Sequence, residues 1–435
     1  MRVLLRGDRP LSGTVRPGGD KSISHRVLML GAMAEGQTTI EGLNEGADVR
    51  STMACLAALG VKITEGDQVV VEGRAGELRC PTGVLDCGNS GTTMRLMAGL
   101  VATQPFTCTL DGDSSLSARP MRRVATPLRG MGVRVEGPDN ASHPPLIVTG
   151  PVRRGGSFSI PVASAQVKSA ALLAGACAGK RVRIEEPGAS RDHTEHLLNA
   201  FGIACEHGEG FALVDPDPGQ ILQGRALKVP GDPSAAALLA ACALAVPGSK
   251  VEITDTLLNP RRTGFVEVLR RMGCAVDVVI QGSDAGEDFG TLSFGSGELT
   301  STTVLAKEVP SLIDEVPALT VVAAVSRGTT VFEGVRELRT KESDRLASLV
   351  QLLDAFSISA HADEDRLEVV GASPRLRADL PPSDDHRILM ASAGLLLAAR
   401  AGGQESLPQL DAAAVGISDP HFFASLGELD AVAGN

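Results

Sequence analysis

A helix-ending pair, an apolar residue followed by glycine, recurs along this chain at a nearly constant interval, and no other feature restricts its possible folds as much. It stands at Leu59-Gly60, Met131-Gly132, Phe201-Gly202, Met272-Gly273 and Leu426-Gly427, with Ala355-Phe356 in the fifth place. Subtracting each landmark from the next (60, 132, 202, 273, 356, 427) gives 72, 70, 71, 83 and 71 residues. A fixed period means one supersecondary unit copied along the chain, each copy burying its apolar face against its neighbours. Each copy reads as a polar Gly/Ser/Asp segment, an Ala/Leu-rich helix, a Gly turn, a Val/Ile strand, a second helix and further strands. Glycine suits the left-handed residue that ends the second helix, and Val61, Val133, Ile203 and Ala275-Val276 restart a strand after it. The expected unit is therefore βαβαββ-like. At 435 residues the chain exceeds a single core. Six units divide naturally into two similar α/β domains of three, with the boundary near Leu227-Lys228-Val229-Pro230; the alternative is one long irregular α/β domain.

The formal net charge of -11 opposes nucleic-acid or acidic-membrane partners, which need a basic footprint. There is no Trp and no Tyr, so the cores must be built from Ala, Leu, Val and Ile. The eight cysteines, Cys55, Cys80, Cys87, Cys108, Cys177, Cys205, Cys242 and Cys274, form no C-x-x-C pair and mostly sit among apolar residues. That pattern points to reduced, buried thiols rather than disulfides or zinc. The apolar run in Met1–Arg6 is too short for a signal peptide, and no stretch is long and charge-free enough to span a bilayer. A cytoplasmic protein is expected.

The first helix of every unit follows polar residues: Lys21-Ser22, Asn89-Ser90-Gly91-Thr92, Ser164-Ala165-Gln166, Asp232-Pro233-Ser234, Asp314-Glu315 and Asp385-His386-Arg387. The segment Asp20–Arg26 puts two fixed cations and two hydroxyls beside Gly18-Gly19 at the start of an apolar helix, with Ser22 or Ser24 available as cap. Free N-H groups and the positive end of the dipole make such a start an anion site. If the helices of each domain run parallel, two sets of three starts face one cleft, an electropositive pocket in an acidic protein suited to a small, multiply anionic ligand. The competing reading of Asp20–Arg26 is an ordinary capped helix, and that of Lys341–Arg345 a solvated charge face.

Asp20–Arg26, Gly88–Arg95, Arg119-Pro120-Met121, Ser164-Ala165-Gln166, Leu312–Glu315, Lys341–Arg345 and Asp385-His386-Arg387 occur in the order and approximate spacing of the 5-enolpyruvylshikimate-3-phosphate synthase family. The chain resembles that family over nearly its whole length. The resemblance implies an inside-out α/β barrel in each of two domains. Residues 18–229 form the shikimate 3-phosphate side, and residues 1–17 with 230–435 the phosphoenolpyruvate side, around a cleft that closes on substrate. It also implies a monomer without metal or organic cofactor, and transfer of the enolpyruvyl group of phosphoenolpyruvate to the 5-hydroxyl of shikimate 3-phosphate through a tetrahedral intermediate. On the matching motifs, Arg345 and Arg387 hold the phosphoenolpyruvate carboxylate and Lys21, Arg119 and Gln166 its phosphate, with Asn89, Gly91 and Thr92 lining that pocket. Shikimate 3-phosphate falls to Lys21, Ser22, Arg26, Ser164, Ala165, Gln166, Arg191, Asp314 and Lys341. Glu342 is the acid for C3, Asp314 the partner of the reacting hydroxyl and Lys21 the group at the bridging oxygen, with Lys21 and Glu342 able to exchange parts. His386 is assigned a structural or hydrogen-bonding role, His25 is read equally as a satisfied histidine on the helix surface, and Arg95 either braces its unit or touches ligand.

Two positions depart from the family pattern. Ile417 stands where many relatives carry a Lys, and Gly18 where the common motif has Pro; in addition Arg191 occupies a place where some relatives use Tyr. Gly91 leaves room for the inhibitor glyphosate, where resistant forms often carry Ala, which implies sensitivity. A sister transferase acting on UDP-N-acetylglucosamine usually has a reactive Cys where Ser114 stands here, and an Asn in place of Ser22. An RNA-end-processing protein on related repeats would need stacking aromatics and a basic surface.

Overall fold

The computed structural model describes residues 2–411 and 413–432. By compactness the chain forms two units. The first comprises Gly19–Val229 together with Ser283–Glu287; the second comprises the chain up to Gly18, Pro230–Gly282 and the residues from Asp288 onward.

Five four-stranded sheets repeat one topology, three in the first unit and two in the second. In the clearest copy the strand Leu85–Asp86 leads through a helix to Thr107–Asp111, then through a second helix to the hairpin Arg134–Glu136 and Leu146–Thr149. Leu85–Asp86 pairs parallel with Thr107–Asp111, which pairs antiparallel with Leu146–Thr149. The parallel first pair demands the intervening helix, since parallel strands cannot be joined by a tight turn. Two of the parallel pairings are remote in sequence. Ser12–Val15 lies just before the first helix yet pairs with Lys250–Ile253 of the second unit, whereas Ala226–Lys228 pairs with Thr39–Glu41 of the first. The sixth copy is abbreviated. Among the described residues its strand pairing is limited to Leu410–Asp411 against Arg2–Val3 and a bridge between Leu5 and Val432.

The first helices of the six copies are α1 (Lys21–Met33), α2 (Gly91–Val101), α3 (Ala165–Cys177), α4 (Pro233–Leu244), α5 (Val316–Val325) and α6 (His386–Ala401). They are buried almost all round, α4 along its whole length, which is why they carry Ala, Leu and Val on every face. Their small residues let the helices approach closely. A methyl on Gly99 of α2 would lie 2.2 Å from the Ala170 carbonyl oxygen of α3, and one on Gly394 of α6 2.7 Å from Val321 of α5. No helix among the described residues is long and apolar enough to cross a membrane.

The second helices end at left-handed residues: Gly60, Gly132, Gly202 and Gly273 have φ of +84°, +84°, +92° and +90°. In the last two copies the landmark differs from the sequence reading. The left-handed residues there are Ser357 and Asp430, both at φ +63°, and Gly427 lies inside the helix Phe422–Glu428. Asp tolerates that conformation through its short polar side chain, so the glycine signal was absent where the geometry was kept. Six of the eight cysteines are buried, as expected, but Cys80 is exposed and Cys177 half-buried.

Candidate active site

In the first unit, the residues singled out by sequence gather at the starts of α1, α2 and α3. Asp20, not Ser22 or Ser24, caps α1: its Oδ1 accepts the Ile23 N-H at 2.7 Å, and Ser24 is spent donating to the Asp20 carbonyl. Ser22 is thereby left facing the Arg191 guanidinium, whose Nη1 lies 3.4 Å from its Oγ. Lys21 Nζ donates to Asp48 Oδ2 at 2.8 Å, with Asp48 held on the neighbouring helix Ala47–Ala58. Ser90 caps α2 by accepting the Thr93 N-H, which brings Gly91 and Thr92 to the first turn. Arg119 donates to Asn89 Oδ1 at 2.7 Å, and Asn89 in turn donates to Asp113.

Arg95 joins α2 to α3. It donates to Gln166 Oε1 at 2.6 Å and to the Pro120 carbonyl at 3.1 Å, while Gln166 Nε2 donates to Thr92 Oγ1 at 2.9 Å. Of its two expected roles, the bracing one is thus visible. Ser164 precedes α3 in extended conformation and makes no side-chain cap, so Ser164 and Ala165 present their backbone at the helix start. The basic groups here, Lys21, Arg26, Arg95, Arg119 and Arg191, stand at or close to three helix N-termini whose dipoles reinforce their field.

Arg26 is almost wholly buried. Its Nε donates to Thr194 Oγ1 at 2.8 Å, its Nη2 to Ser169 Oγ at 2.9 Å and its Nη1 to the Ser22 carbonyl at 2.8 Å. His25 is fully buried rather than on a helix surface, and hydrogen-bonds Thr52, which bonds Thr93. Burial, reinforced by Lys21 and Arg26, pushes its pKa well down, so it is a neutral strut.

The second unit holds a compact charge cluster. Asp314 sits in the 3-10 turn before α5, and its Oδ1 lies 3.5 Å from Lys341 Nζ and 3.4 Å from Arg345 Nη1. Arg345, 1% exposed, grips Asp385 through Nε at 2.8 Å and Nη2 at 3.3 Å, and Nη2 also donates to Glu342. Burial works against the guanidinium charge, but Asp385, Glu342 and Asp314 outweigh it and hold the pKa above its usual value. Burial likewise opposes ionisation of Asp385, yet Arg345 keeps that carboxyl below its ordinary range. Asp385 also caps α6 through the Arg387 N-H, and Arg387 Nη1 donates to the Asp314 carbonyl at 2.8 Å. The run Lys341–Arg345 is therefore an ion-pair network around a buried arginine, and the solvated-face reading does not hold for Arg345.

The motifs occur on the fold their spacing implied, and comparison with known proteins decides the family. A family model described as EPSP synthase (3-phosphoshikimate 1-carboxyvinyltransferase) matches residues 5–426. The chain belongs to the EPSP synthase family. A 3-phosphoshikimate 1-carboxyvinyltransferase of Brevibacillus brevis is 43% identical over 392 residues, covering 89% of this chain and 92% of that protein. One from Synechococcus sp. (strain CC9605) is 44% identical over 431 residues, covering 98% and 97%. Among solved structures, an EPSP synthase from Acinetobacter baumannii superposes with a TM-score of 0.84 at 34% identity, covering 98% of each chain. The enolpyruvyl transferase NikO from Streptomyces tendae gives 0.75 at 18% identity, covering 100% of this chain and 99% of its own, and shows the shared fold. The architecture is the α/β repeat fold of the enolpyruvyl transferases.

Several residues that build this candidate site carry no signal of it in the sequence motifs. Asp48 and Asp113 orient Lys21 and Asn89 from segments outside the motifs. Ser169 and Thr194 satisfy Arg26, although both lie within a few residues of quoted motifs. Arg262, buried against Asp232 at 3.0 Å, with Ser234 and Glu315 beside it, ties the starts of α4 and α5 and left no signal beyond an Arg in a loop. Ile417 closes a 3-10 segment, Ala413–Ile417, and is half-buried. A methyl on Gly18 would come within 3.2 Å of Asp419 Oδ1.

Proposed function

We propose that the two residue clusters serve one reaction, the reaction of this family: transfer of the enolpyruvyl group of phosphoenolpyruvate to the 5-hydroxyl of shikimate 3-phosphate, with release of phosphate. The observation that carries the reading is that Lys21 and Gln166 stand in the first turns of α1 and α3, with Gln166 bonded to Thr92 at the start of α2 and Arg119 to Asn89 just before it, a set of groups that suits a phosphate dianion. Those three residues are assigned to the phosphoenolpyruvate phosphate, with Asn89, Gly91 and Thr92 around it. Arg345 and Arg387 are assigned to its carboxylate, for which a planar guanidinium is the natural partner. Ser22, Arg26, Ser164, Ala165, Arg191, Asp314 and Lys341 are assigned to shikimate 3-phosphate, with Lys21 and Gln166 shared.

The chemistry follows from the charges. The 5-oxygen attacks C2 and passes its proton to Asp314, while C3 takes a proton from Glu342. In the resulting tetrahedral intermediate Lys21 protonates the bridging oxygen as the C2–O bond to phosphate breaks, and the Glu342 carboxylate takes back a methyl proton to form the new double bond. Arg345 links binding to this step: its Nη2 donates to Glu342, so a substrate carboxylate held by Arg345 lies beside the acid that C3 requires.

Replacing Glu342 by Gln should lower kcat by roughly 10²–10⁴-fold with both KM values within about threefold. An unchanged kcat would remove Glu342 from the mechanism. The same reading extends to a cytoplasmic monomer that needs no cofactor and to inhibition by glyphosate. Undiminished turnover at a glyphosate concentration that silences a sensitive relative would refute the last.

A further inference from the structure

Lys168 lies two residues beyond Gln166 in α3, among Val, Ser, Ala and Leu, and is fully buried. Its Nζ is 2.7 Å from Glu186 Oε1 and 2.9 Å from Glu195 Oε1, and none of the three side chains is exposed. Three buried ionisable groups are costly to assemble, and apolar residues of similar size would fill the space at least as stably. What the charges hold is therefore the informative question. Glu186 Oε1 also accepts the Ser190 N-H at 3.2 Å, and Lys168 Nζ points at the Ser190 carbonyl oxygen at 3.5 Å. The ion pair thus grips both backbone groups of the residue immediately before Arg191.

Beyond Arg191 the chain is fixed as well. His193 Nδ1 meets Glu287 Oε1 at 2.6 Å, and Thr194 Oγ1 bonds Ser169 Oγ at 2.6 Å. Arg191 therefore projects from a short segment clamped on both sides, toward Ser22 of α1.

We propose that Lys168 and Glu186 are positioning residues that set the direction of Arg191 toward shikimate 3-phosphate and couple it to the α3 start that carries Ser164, Ala165 and Gln166. The inference rests on the assignment of Arg191 to that substrate. Glu186 is the better probe, because removing its charge leaves Lys168 and Glu195 as a matched pair and spares the fold.

The test measures KM for each substrate in Glu186→Ala and Glu186→Gln, alone and combined with Arg191→Ala. Glu186→Ala should raise KM for shikimate 3-phosphate about tenfold and leave KM for phosphoenolpyruvate within about twofold. Glu186→Gln, whose amide oxygen still accepts the Ser190 N-H, should stay within about threefold of the parent for both substrates. In the Arg191→Ala background Glu186→Ala should add less than about twofold, because the residue through which it acts is gone. An unchanged KM for shikimate 3-phosphate in Glu186→Ala, equal rises for both substrates, or a full additional rise on top of Arg191→Ala would each overturn the inference. If Arg191→Ala alone leaves that KM unchanged, the assignment of Arg191 fails and takes this inference with it.

Discussion

Replacing Gly91 by Ala tests the geometry of the phosphate pocket with one methyl group. That methyl would stand 2.7 Å from Arg95 Nη1 and 3.3 Å from Arg119 Nη1. Restoring an ordinary 3.4 Å contact requires Arg95 to retreat by about 0.7 Å. Arg95 Nη1 is the group that donates to Gln166 Oε1 at 2.6 Å, so the retreat stretches that bond toward the limit of hydrogen bonding. A charge-assisted bond of this kind is worth ~1.5–3 kcal/mol, and losing about half of it costs ~0.75–1.5 kcal/mol. The loss falls on Gln166 and Arg119, both assigned to the phosphoenolpyruvate phosphate, and corresponds to a rise of roughly four- to tenfold in KM for phosphoenolpyruvate. KM for shikimate 3-phosphate should rise less, because Arg119 is assigned to phosphoenolpyruvate alone and only Gln166 is shared. The melting temperature should change little, because the ~0.5–1 kcal/mol by which Ala is favoured over Gly in a helix offsets much of the weakened Arg95–Gln166 bond. The assay is steady-state phosphate release with phosphoenolpyruvate varied at saturating shikimate 3-phosphate. An unaltered KM for phosphoenolpyruvate, or a lowered melting temperature with both KM values raised together, would refute the reasoning.

Other consequences can be measured separately. Burial, with Asp232 nearby, pushes the Asp419 carboxyl up to about 6, so the folded state binds its proton more tightly than the unfolded chain. Its stabilising effect is complete below about pH 4, is lost as pH rises through 6 and is constant above; a shift of ~2 units corresponds to ~3 kcal/mol. Asp419→Asn should therefore raise the urea midpoint at pH 8 but not at pH 4, and a pH-independent difference would contradict this. Arg345→Met leaves Asp385 buried without its main partner and should cost about 3–5 kcal/mol in stability, whereas a loss below ~1 kcal/mol would show the pair to be dispensable. Burial pushes the thiols of Cys108, Cys177, Cys205, Cys242 and Cys274 up to about 12, while Cys80 is exposed. A thiol reagent applied to the native protein should consume one cysteine quickly and none in Cys80→Ser; a second fast thiol would contradict the burial.

The parts of this molecule readable from sequence were those written in local chemistry. The Ala/Leu runs of the six buried helices, the glycines that end the second helices in four copies and the polar residues at each helix start all act within a few positions of themselves. The partners that complete the site act over long separations. Asp48 pairs with Lys21 across 27 residues, Asp385 with Arg345 across 40 and Thr194 with Arg26 across 168. A charged residue in a sequence reads as surface by default. Lys168 could have been suspected, because a lone Lys in a helix that is apolar all round has no solvent face, but nothing in the chain marks Glu186 and Glu195 as its partners. The pairing of Ser12–Val15 with Lys250–Ile253 is invisible for the same reason: the two strands are parallel, far apart in sequence and joined by no turn that would fix their register.

The most direct test of the central claim is phosphate release by the purified protein with each substrate alone and with both. The account predicts release that requires shikimate 3-phosphate and phosphoenolpyruvate together and that is abolished when either is omitted. Release from phosphoenolpyruvate with UDP-N-acetylglucosamine in place of shikimate 3-phosphate, or no release with the correct pair, would contradict it.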